Sequence, residues 1–392
     1  MNPAEFTDRS PGRLVPFTIT EYDLRSGRLV DKESWSFVPD PLPLALRVGD
    51  HVEEHLEHAV HALGRLDGLG RQLSNPYLLI RPFLRREAVA SSSIEGTVTN
   101  LEQLFLFEEG GVPESPRADA QEVLNYVHAL EYGLNRQPDR PITSLLIREL
   151  HERLMEGVEG GDKNPGRFRR GPVYIGRGTG IEKARFVPPP SPDVPELMLH
   201  LERAMAEPPR ARLVRIALIH YQFETIHPFS DGNGRTGRLL IPLLMQEWRL
   251  LSQPLLYLSG YFEREKQAYV DGLLRVSQEG DWDGWVTLFA IAVAAQSTDA
   301  ANRGQRLLDL RETYRHRYQG EPPARAVDVI DALFSAPVQS IPGLARRLGL
   351  EAKTVRRAVA RLEEDGLLTE MTGNQRNRVY MAQEIIGILS TE

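Results

Sequence analysis

The segment from residue 227 to residue 238 holds the side chains best suited to chemistry in this chain of 392 residues. It reads His-Pro-Phe-Ser-Asp-Gly-Asn-Gly-Arg-Thr-Gly-Arg and so combines a base, an acid, two arginines and three glycines. Glycines just before a helix let an anion approach backbone N–H groups and the positive end of the helix dipole. Arg235 and Arg238 are three residues apart, so both can contact phosphate oxygens from one side of that helix. The segment therefore predicts a polyphosphate site.

A carboxylate and a histidine add chemistry to this predicted site. Asp231 would repel an anion unless a hard cation such as Mg²⁺ bridges the two, which indicates a metal-bound nucleotide. His227 suits a general base for an attacking hydroxyl, because the ordinary pKa of histidine is about 6.5. A lone histidine is usually structural, so the hypothesis depends on the acid, arginines and glycines beside it. The residues assigned to phosphate binding are Phe229, Ser230, Asp231, Gly232, Asn233, Gly234, Arg235 and Arg238.

A competing interpretation comes from Gly232, Gly234 and Gly237, whose spacing also matches the dinucleotide-binding fingerprint. That fingerprint must follow a β-strand, whereas the residues before His227 have helical spacing. An acidic residue should also stand about twenty positions further on, where Gln253 and Pro254 occur. The dinucleotide interpretation is therefore disfavoured.

Helices are expected to position the motif. Apolar residues recur every three or four positions through much of the chain, as at residues 48–66, 118–134 and 144–154, which indicates a mainly α protein. The helix before the motif should end near Ile226, because the proline after His227 disfavours its continuation.

Two further local patterns accompany these helices. Residues 239–245 continue as a buried helix that Pro242 should kink. Residues 173–187 break the helical pattern and predict a β-hairpin with a turn at Gly176, Gly178 and Gly180.

The motif resembles the Fic signature, His-Pro-Phe-x-Asp/Glu-Gly-Asn-Gly-Arg-x-x-Arg, at each specified position. This resemblance implies that His227 deprotonates a Ser, Thr or Tyr hydroxyl of a target protein, which attacks the α-phosphate of ATP and releases diphosphate. It also implies that Asp231 holds Mg²⁺ between the α- and β-phosphates. Residues 232–234 would form the anion hole, and Arg235 and Arg238 would bind the outer phosphates.

The resemblance gives the predicted hairpin a function as a flap that pairs with an extended segment of the target protein. Val173, Tyr174, Ile175 and Gly176 are the expected contact residues. A plain surface hairpin is the alternative.

Residues 91–96, Ser-Ser-Ser-Ile-Glu-Gly, resemble the inhibitory signature of the same family. The resemblance implies that Ser91, Glu95 and Gly96 form an N-terminal inhibitory element in which Glu95 pairs with Arg238 and misaligns ATP. The alternative is that residues 91–96 merely end one helix before Thr99 and Glu102 cap the next. In some relatives the same glutamate supports removal of AMP.

The resemblance covers roughly residues 35–300. Relatives contact adenine through side chains after the motif, so Tyr261 and Arg264 are the predicted adenine contacts.

The last segment of the chain resembles a winged helix-turn-helix. Three helical patterns are followed by a hairpin around Thr372, and basic residues lie on the third helix and the wing. These are Lys353, Arg356, Arg357, Arg361, Arg376 and Arg378. Basic side chains on a third helix suit the major groove of DNA. Nine basic and nine acidic residues from position 324 onward balance, however, so DNA and protein partners both stay open.

Composition sets the remaining expectations. The net charge of −7 argues against a chain devoted as a whole to nucleic acid, and the absence of cysteine excludes disulfides and a thiol nucleophile. The first ten residues lack a signal-peptide pattern, and the longest apolar run, residues 286–295, is too short to cross a bilayer. A cytoplasmic protein without membrane segments is therefore expected.

The expected architecture is a mainly α Fic-type helical bundle with a small β-hairpin flap, followed by a winged helix-turn-helix. Predicted domains are an N-terminal helical region with the inhibitory helix (1–120), the catalytic core (121–320) and the winged helix (321–392).

Three classes of function remain open: a protein adenylyltransferase, a DNA-binding regulator with an inert Fic domain, and a Fic-fold enzyme of other chemistry such as deAMPylation or phosphotransfer. The intact motif favours the first class. Expected partners are ATP and an unidentified target protein, with self-modification and a homodimer also open.

Overall fold

The computed structural model describes residues 1–23, 27–112, 114, 116–136, 140–158, 164–176, 181, 184–206, 210–320, 325–374 and 376–390, with the backbone alone at 21–23. Helices dominate these residues, as predicted. In chain order the helices are α1 (Asp50–Gln72), α2 (Tyr77–Ile94), α3 (Leu101–Glu108), α4 (Arg117–Leu134), α5 (Ser144–Leu154), α6 (Val194–Ala206), α7 (Arg212–Ile226), α8 (Asn233–Glu247), α9 (Ser259–Arg264), α10 (Lys266–Glu279), α11 (Trp282–Tyr318), α12 (Ala326–Ser335), α13 (Ile341–Leu348), α14 (Ala352–Glu364) and α15 (Gln383–Ser390).

An antiparallel hairpin precedes the helices. Its strands are β1 (Gly12–Asp23) and β2 (Arg28–Pro39), paired from Gly12 opposite Pro39 to Asp23 opposite Arg28. Only the end of β2 is buried, where Phe37 is fully enclosed. The Phe37 amide donates to the carbonyl of Val187 (2.9 Å), so this end of the hairpin is tied to the chain after the predicted flap. This hairpin was not predicted, since the sequence indicated an N-terminal helical region.

Mutual contacts divide the chain into two compact units. The first comprises residues 1–58, 132–250 and 264–292, and the second comprises residues 59–131, 251–263 and 293–392. The predicted domains, in contrast, are continuous segments of the chain (1–120, 121–320 and 321–392). That division stays a prediction.

In the first unit, α7 is the central helix. It packs against α6, α8 and α10, and apolar side chains are buried on several sides of it. The Trp285 indole N–H donates to the Ala217 carbonyl in the middle of α7 (2.8 Å), which fixes the start of α11 against this helix. A helix buried on several sides can hold its C-terminal residue rigidly, and that residue is His227.

In the second unit, α2 packs against α3, α12 and α15. The buried Glu87 carboxylate accepts hydrogen bonds from the Tyr126 hydroxyl (3.0 Å) and from the Ser259 amide (3.1 Å) and hydroxyl (2.5 Å). A buried carboxylate needs several donors to offset its lost hydration. These bonds therefore fix the middle of α2.

The C-terminal residues form a winged helix, as predicted. Strands β3 (Val338–Ser340), β4 (Thr369–Glu370) and β5 (Val379–Met381) make an antiparallel sheet in the order β3-β5-β4 beside α12, α13 and α14. At the start of α13, the Glu109 carboxylate accepts hydrogen bonds from the Ser340 amide (3.0 Å) and hydroxyl (2.9 Å). Glu109 is the C-cap residue of α3, so these bonds join α3 to the winged helix. The carboxylate is also stabilising there, because an anion at a helix N-terminus interacts favourably with the helix dipole.

No helix among the described residues combines the length and apolar character needed to cross a bilayer.

Candidate active site

His227 caps the C-terminus of α7 in a left-handed backbone conformation, with φ 50° and ψ 61°. This conformation costs a non-glycine residue roughly 1–2 kcal/mol, and such strain is found most often at functional positions. The imidazole Nδ1 lies 3.2 Å from the Glu224 carbonyl oxygen. A carbonyl oxygen can only accept, so Nδ1 carries the hydrogen in this bond. In the neutral ring, Nε2 then keeps a lone pair and can take a proton.

The loop after His227 is closed by one asparagine. The Asn233 side chain accepts a hydrogen bond from the Phe229 amide (2.8 Å) and donates another to the Phe229 carbonyl (2.9 Å). The Phe229 side chain is fully buried, so the phenyl ring anchors the loop while its backbone lies in the predicted phosphate site. Ser230 is exposed and Asp231 is partly exposed at the tip of the loop.

Gly232 forms the entrance to α8 with φ 72°, a conformation that favours glycine. A Cβ atom at this position would come within 2.8 Å of the Met155 sulfur. The first turn of α8 begins at Asn233, where a helix directs N–H groups and the positive end of its dipole outward. The geometry at residues 232–234 therefore suits an anion.

Arg235 and Arg238 lie on the first turns of α8 and are 3% and 2% exposed. Their charges act on two buried histidines. The Arg235 charge contributes to lowering the pKa of His151, and that of Arg238 contributes to lowering the pKa of His220. In both cases burial is the largest cause. The two buried guanidinium groups place positive charge at the start of α8, and neutral histidines add none to it.

His151 is a residue of this site that the sequence analysis missed. Its ring stacks on Phe229 with centroids 3.7 Å apart and planes 4° apart. Nε2 donates to the Asp231 carbonyl (3.0 Å), and Nδ1 accepts from the Gly166 amide (2.9 Å). Burial lowers the pKa of His151 to about 4, so the ring is neutral at neutral pH and joins the motif loop to the backbone at Gly166.

Arg169 is a second residue that the sequence analysis missed. Its buried guanidinium donates to the carbonyls of His227 (2.8 Å), Pro189 (2.5 Å) and Gly171 (3.1 Å). The Arg169 amide also donates to the Pro228 carbonyl (2.9 Å). Burial lowers the pKa of Arg169 to about 10, which leaves it charged at neutral pH. The helix C-terminus of α7 stabilises this cation, because terminal carbonyls carry negative partial charge.

No sequence signal marks these two residues, since their partners lie between 2 and 80 positions away along the chain. His220, the third histidine near the motif, bonds the Gly237 carbonyl through Nδ1 (3.2 Å) and the Tyr269 hydroxyl through Nε2 (2.9 Å). It connects α7 with α8 and α10.

The residues present fit a cation that arrives with a nucleotide. Among the described residues, no group of three or more His, Asp or Glu side chains could hold a metal ion by itself. Asp231 supplies one carboxylate at the loop tip, and its Oδ1 accepts from the Gly232 amide (2.7 Å). Mg²⁺ is commonly bound by one or two protein carboxylates together with substrate phosphates.

At the predicted hairpin, the described residues form one antiparallel bridge, Ile175 opposite Phe186, and the role of the hairpin as a flap stays a prediction. The Ile175 amide donates to the Phe186 carbonyl (2.8 Å), and the reverse bond is 3.0 Å. Val173 is half-buried, while Tyr174 and Gly176 are exposed. Gly178 and Gly180 lie outside the described residues.

Residues 91–96 form the end of α2 and the turn after it. Ser91 is fully buried, and Glu95, the C-cap residue, is exposed. Gly96 has φ 100°, a conformation that side chains disfavour. The pairing of Glu95 with Arg238 stays a prediction.

Helix α9 carries the two predicted adenine contacts. Tyr261 is half-buried and Arg264 is exposed. Their part in nucleotide binding stays a prediction.

Comparison with known families agrees with this architecture. Residues 53–135 match the model described as Fic/DOC family N-terminal, residues 141–245 match the Fic/DOC family model, and residues 327–369 match a model described as winged helix-turn-helix DNA-binding. The chain therefore contains Fic/DOC family domains followed by a winged helix.

Curated relatives carry the name protein adenylyltransferase. Over 215 residues the chain is 29% identical to protein adenylyltransferase Fic of Drosophila sechellia, a match covering 51% of this chain and 38% of that protein. It is 34% identical over 161 residues to the Aedes aegypti protein of the same name, covering 38% of this chain and 27% of that protein. Protein adenylyltransferase fic-1 of Caenorhabditis elegans is 32% identical over 159 residues, which are 39% of this chain and 30% of that protein. The chain thus spans well under half the length of these relatives.

Solved structures share the fold. A Fic family protein from Desulfovibrio desulfuricans G20 has a TM-score of 0.56 at 24% identity, covering 86% of this chain and 97% of that chain. Fic-1 from Caenorhabditis elegans has a TM-score of 0.52 at 21% identity, covering 66% of this chain and 74% of that chain.

Proposed function

We propose that this protein is an adenylyltransferase that transfers AMP from ATP to a Ser, Thr or Tyr hydroxyl of a target protein. The observation that carries this proposal is the tautomer of His227, whose Nδ1 donates to the Glu224 carbonyl and leaves Nε2 as an acceptor. The names of the curated relatives support it.

In the proposed reaction, His227 Nε2 takes the proton of the target hydroxyl. The hydroxyl oxygen bonds to the α-phosphorus of ATP, and the bond from that phosphorus to the bridging oxygen breaks, so diphosphate leaves. Arg235, Arg238 and the N–H groups at the start of α8 bind the phosphates. Asp231 would hold Mg²⁺, which when bound supplies positive charge that offsets the phosphate charge.

Transfer of α-labelled ATP to protein tests the proposal, since self-labelling requires no known target. We expect His227→Ala to reduce labelling at least a hundredfold, because general-base catalysis typically contributes ~10²–10⁴-fold. The matched control is His316→Ala, a substitution near the end of α11. If His227→Ala labels like the unaltered chain, His227 is not the base. If γ-labelled ATP labels the protein instead, the chemistry is phosphotransfer.

Glu95 is proposed to inhibit this reaction by pairing with Arg238. The C-terminus of α2 is anchored by the buried Ser91, so the position of Glu95 is defined by its helix. An ion pair would withdraw the arginine from the nucleotide phosphates.

Glu95→Gln should therefore raise self-labelling, while Glu102→Gln, the same change in the first turn of α3, should not. Equal labelling of both variants and the unaltered chain would remove the inhibitory assignment. If Glu95→Gln abolishes release of AMP from a labelled target, the same carboxylate supports deAMPylation.

The flap is proposed to pair with an extended target segment. One antiparallel bridge already holds it, and Tyr174 is exposed beside that bridge. Strand addition provides backbone hydrogen bonds, and side chains such as Tyr174 provide selectivity.

DNA is the partner proposed for the winged helix. Lys353, Arg356 and Arg357 are all exposed on α14, the third helix of this domain. Helix α14 is therefore able to present basic side chains to phosphates and base edges.

Binding to random duplex DNA in a salt titration tests this partner. Replacing Lys353, Arg356 and Arg357 by Gln should weaken binding and flatten its salt dependence. Binding of the triple variant that equals that of the unaltered chain would favour a protein partner.

A further inference from the structure

The second unit contains a cleft of about 560 Å³ whose lining includes no residue of the motif 227–238. It is formed by the start of α2, by α11 and by the helices α12 and α13 of the winged helix. Its volume lies within the range of about 300–1,000 Å³ that is usual for small-molecule sites.

Four arginines line this cleft, and two of them are neutralised. Arg311 pairs with Asp331 (2.9 Å), and Arg325 pairs with Asp328 (3.0 Å). For Arg81 and Arg347, no ion-pair partner occurs in the part of the chain that the structure describes. The Arg347 guanidinium donates a hydrogen bond to the neutral Ser335 hydroxyl (3.3 Å). Within the described part of the chain, the cleft therefore has two arginines that form no ion pair, although Glu109 and Glu108 act on Arg347 from a longer distance.

These two charges repel each other. The pKa of Arg347 is lowered, first by the partial burial of its guanidinium and next by the positive charge of Arg81, against the smaller opposite effects of Glu109 and Glu108. Both side chains are still exposed to solvent, so a ligand can reach them. An anion between them would relieve the repulsion and accept hydrogen bonds from both guanidinium groups.

The other walls indicate that the anion has an organic part. Leu78, Leu348 and Leu350 supply apolar surface, and the Tyr77 side chain at the start of α2 is 52% exposed. An aromatic ring beside two arginines suits a ligand with a planar or sugar portion next to its phosphate. A nucleic-acid backbone would also meet the carboxylates of Asp328 and Asp331, which disfavours a polyanion.

We propose that this cleft binds a small organic phosphate, with Arg81 and Arg347 holding the phosphate and Tyr77 contacting the organic portion. Arg81 belongs to α2 and Arg347 to α13. The bound phosphate would therefore connect α2, whose C-cap residue is Glu95, with the winged helix.

Calorimetric titration of the full chain with AMP tests the proposal, with binding rather than AMP transfer as the readout. The motif 227–238 is a second place where AMP could bind, so the titration must resolve two classes of site. We expect the double variant Arg81→Gln, Arg347→Gln to weaken one class at least tenfold, and inorganic phosphate to compete for that class in the unaltered chain. The matched control, Arg346→Gln, changes the neighbouring arginine outside the cleft lining and should leave the titration unchanged.

An AMP titration of the double variant identical to that of the unaltered chain would overturn the proposal. If the double variant and the unaltered chain have equal melting temperatures, a loss of binding comes from the cleft and not from unfolding. If the double variant is unstable, each single variant provides a milder test. If the double variant binds AMP normally but binds duplex DNA more weakly, the cleft contacts nucleic acid instead.

Discussion

The chemical role proposed for His227 depends on the conformation of its backbone. The left-handed conformation ends α7 and brings Nδ1 to the Glu224 carbonyl, three residues back in the chain. Because that bond places the hydrogen on Nδ1, the lone pair of the neutral ring is on Nε2. The position therefore requires both an imidazole and an unusual backbone conformation.

The first prediction concerns Gly232, where substitution by alanine adds one methyl group. Gly232→Ala should lower the melting temperature by several degrees and AMP transfer at least tenfold, because the new Cβ would approach the Met155 sulfur at 2.8 Å on a backbone with φ 72°. A positive φ alone costs alanine roughly 1–2 kcal/mol. Gly171→Ala is the control, since nothing lies within 4 Å of its added Cβ. Equal melting and transfer for the two variants would show that the turn tolerates a side chain.

Among the elements, the helices were the most predictable. Helix α5 was expected at residues 144–154 and lies there, and α7 ends at Ile226 as the following proline indicated. These features depend on local periodicity and on local backbone restriction. The three helices and the wing of the C-terminal domain were predictable for the same reason.

The N-terminal hairpin and two site residues were not predictable from local patterns. The first half of β2 is largely exposed, and Ser34 and Ser36 are among its buried residues, so its sequence lacks the apolar–polar alternation that marks a half-buried strand. His151 and Arg169 act through backbone groups that lie far away in the chain. A single sequence contains no signal for such contacts, whereas the motif 227–238 is contiguous and its residue types already indicate phosphate chemistry.

A second prediction concerns Arg169, whose side chain joins the loops around the site. Arg169→Lys should lower AMP transfer and the melting temperature, because an ammonium group cannot reproduce the planar set of bonds to the His227, Pro189 and Gly171 carbonyls. The loss of one or two hydrogen bonds to a charged group costs about 1.5–3 kcal/mol each. Arg170→Lys, the same change at the exposed neighbouring residue, should have little effect. Matching losses in the two variants would contradict the role assigned to Arg169.

At the scale of the whole molecule, the buried histidines make stability depend on pH. Burial lowers the folded-state pKa of His151 to about 4, below its ordinary value of 6.5. Between these values the unfolded chain takes up a proton that the folded chain does not. Above pH 6.5, His151 should therefore leave the free energy of unfolding unchanged. As the pH falls from 6.5 toward 4, that free energy should decline by about 1.4 kcal/mol for each pKa unit of difference.

The variant His151→Gln isolates this effect, since its amide can still donate to the Asp231 carbonyl but does not titrate. When the pH is lowered from 7 to 5, the melting temperature of the unaltered chain should fall further than that of the variant. Parallel pH curves for the two proteins would show that His151 does not contribute to acid sensitivity.

The bonds of Arg169 also limit how the flap can be exchanged between proteins. Gly171 precedes the flap, Pro189 follows it, and one guanidinium joins both of them to the backbone of the proposed base. A chimaera that replaces residues 172–187 alone would leave this junction in its native chemical form. A chimaera that replaces residues 165–190 would also replace Arg169, Gly171 and Pro189. This longer exchange, intended to change the target protein, would therefore also alter the backbone contacts of the proposed base.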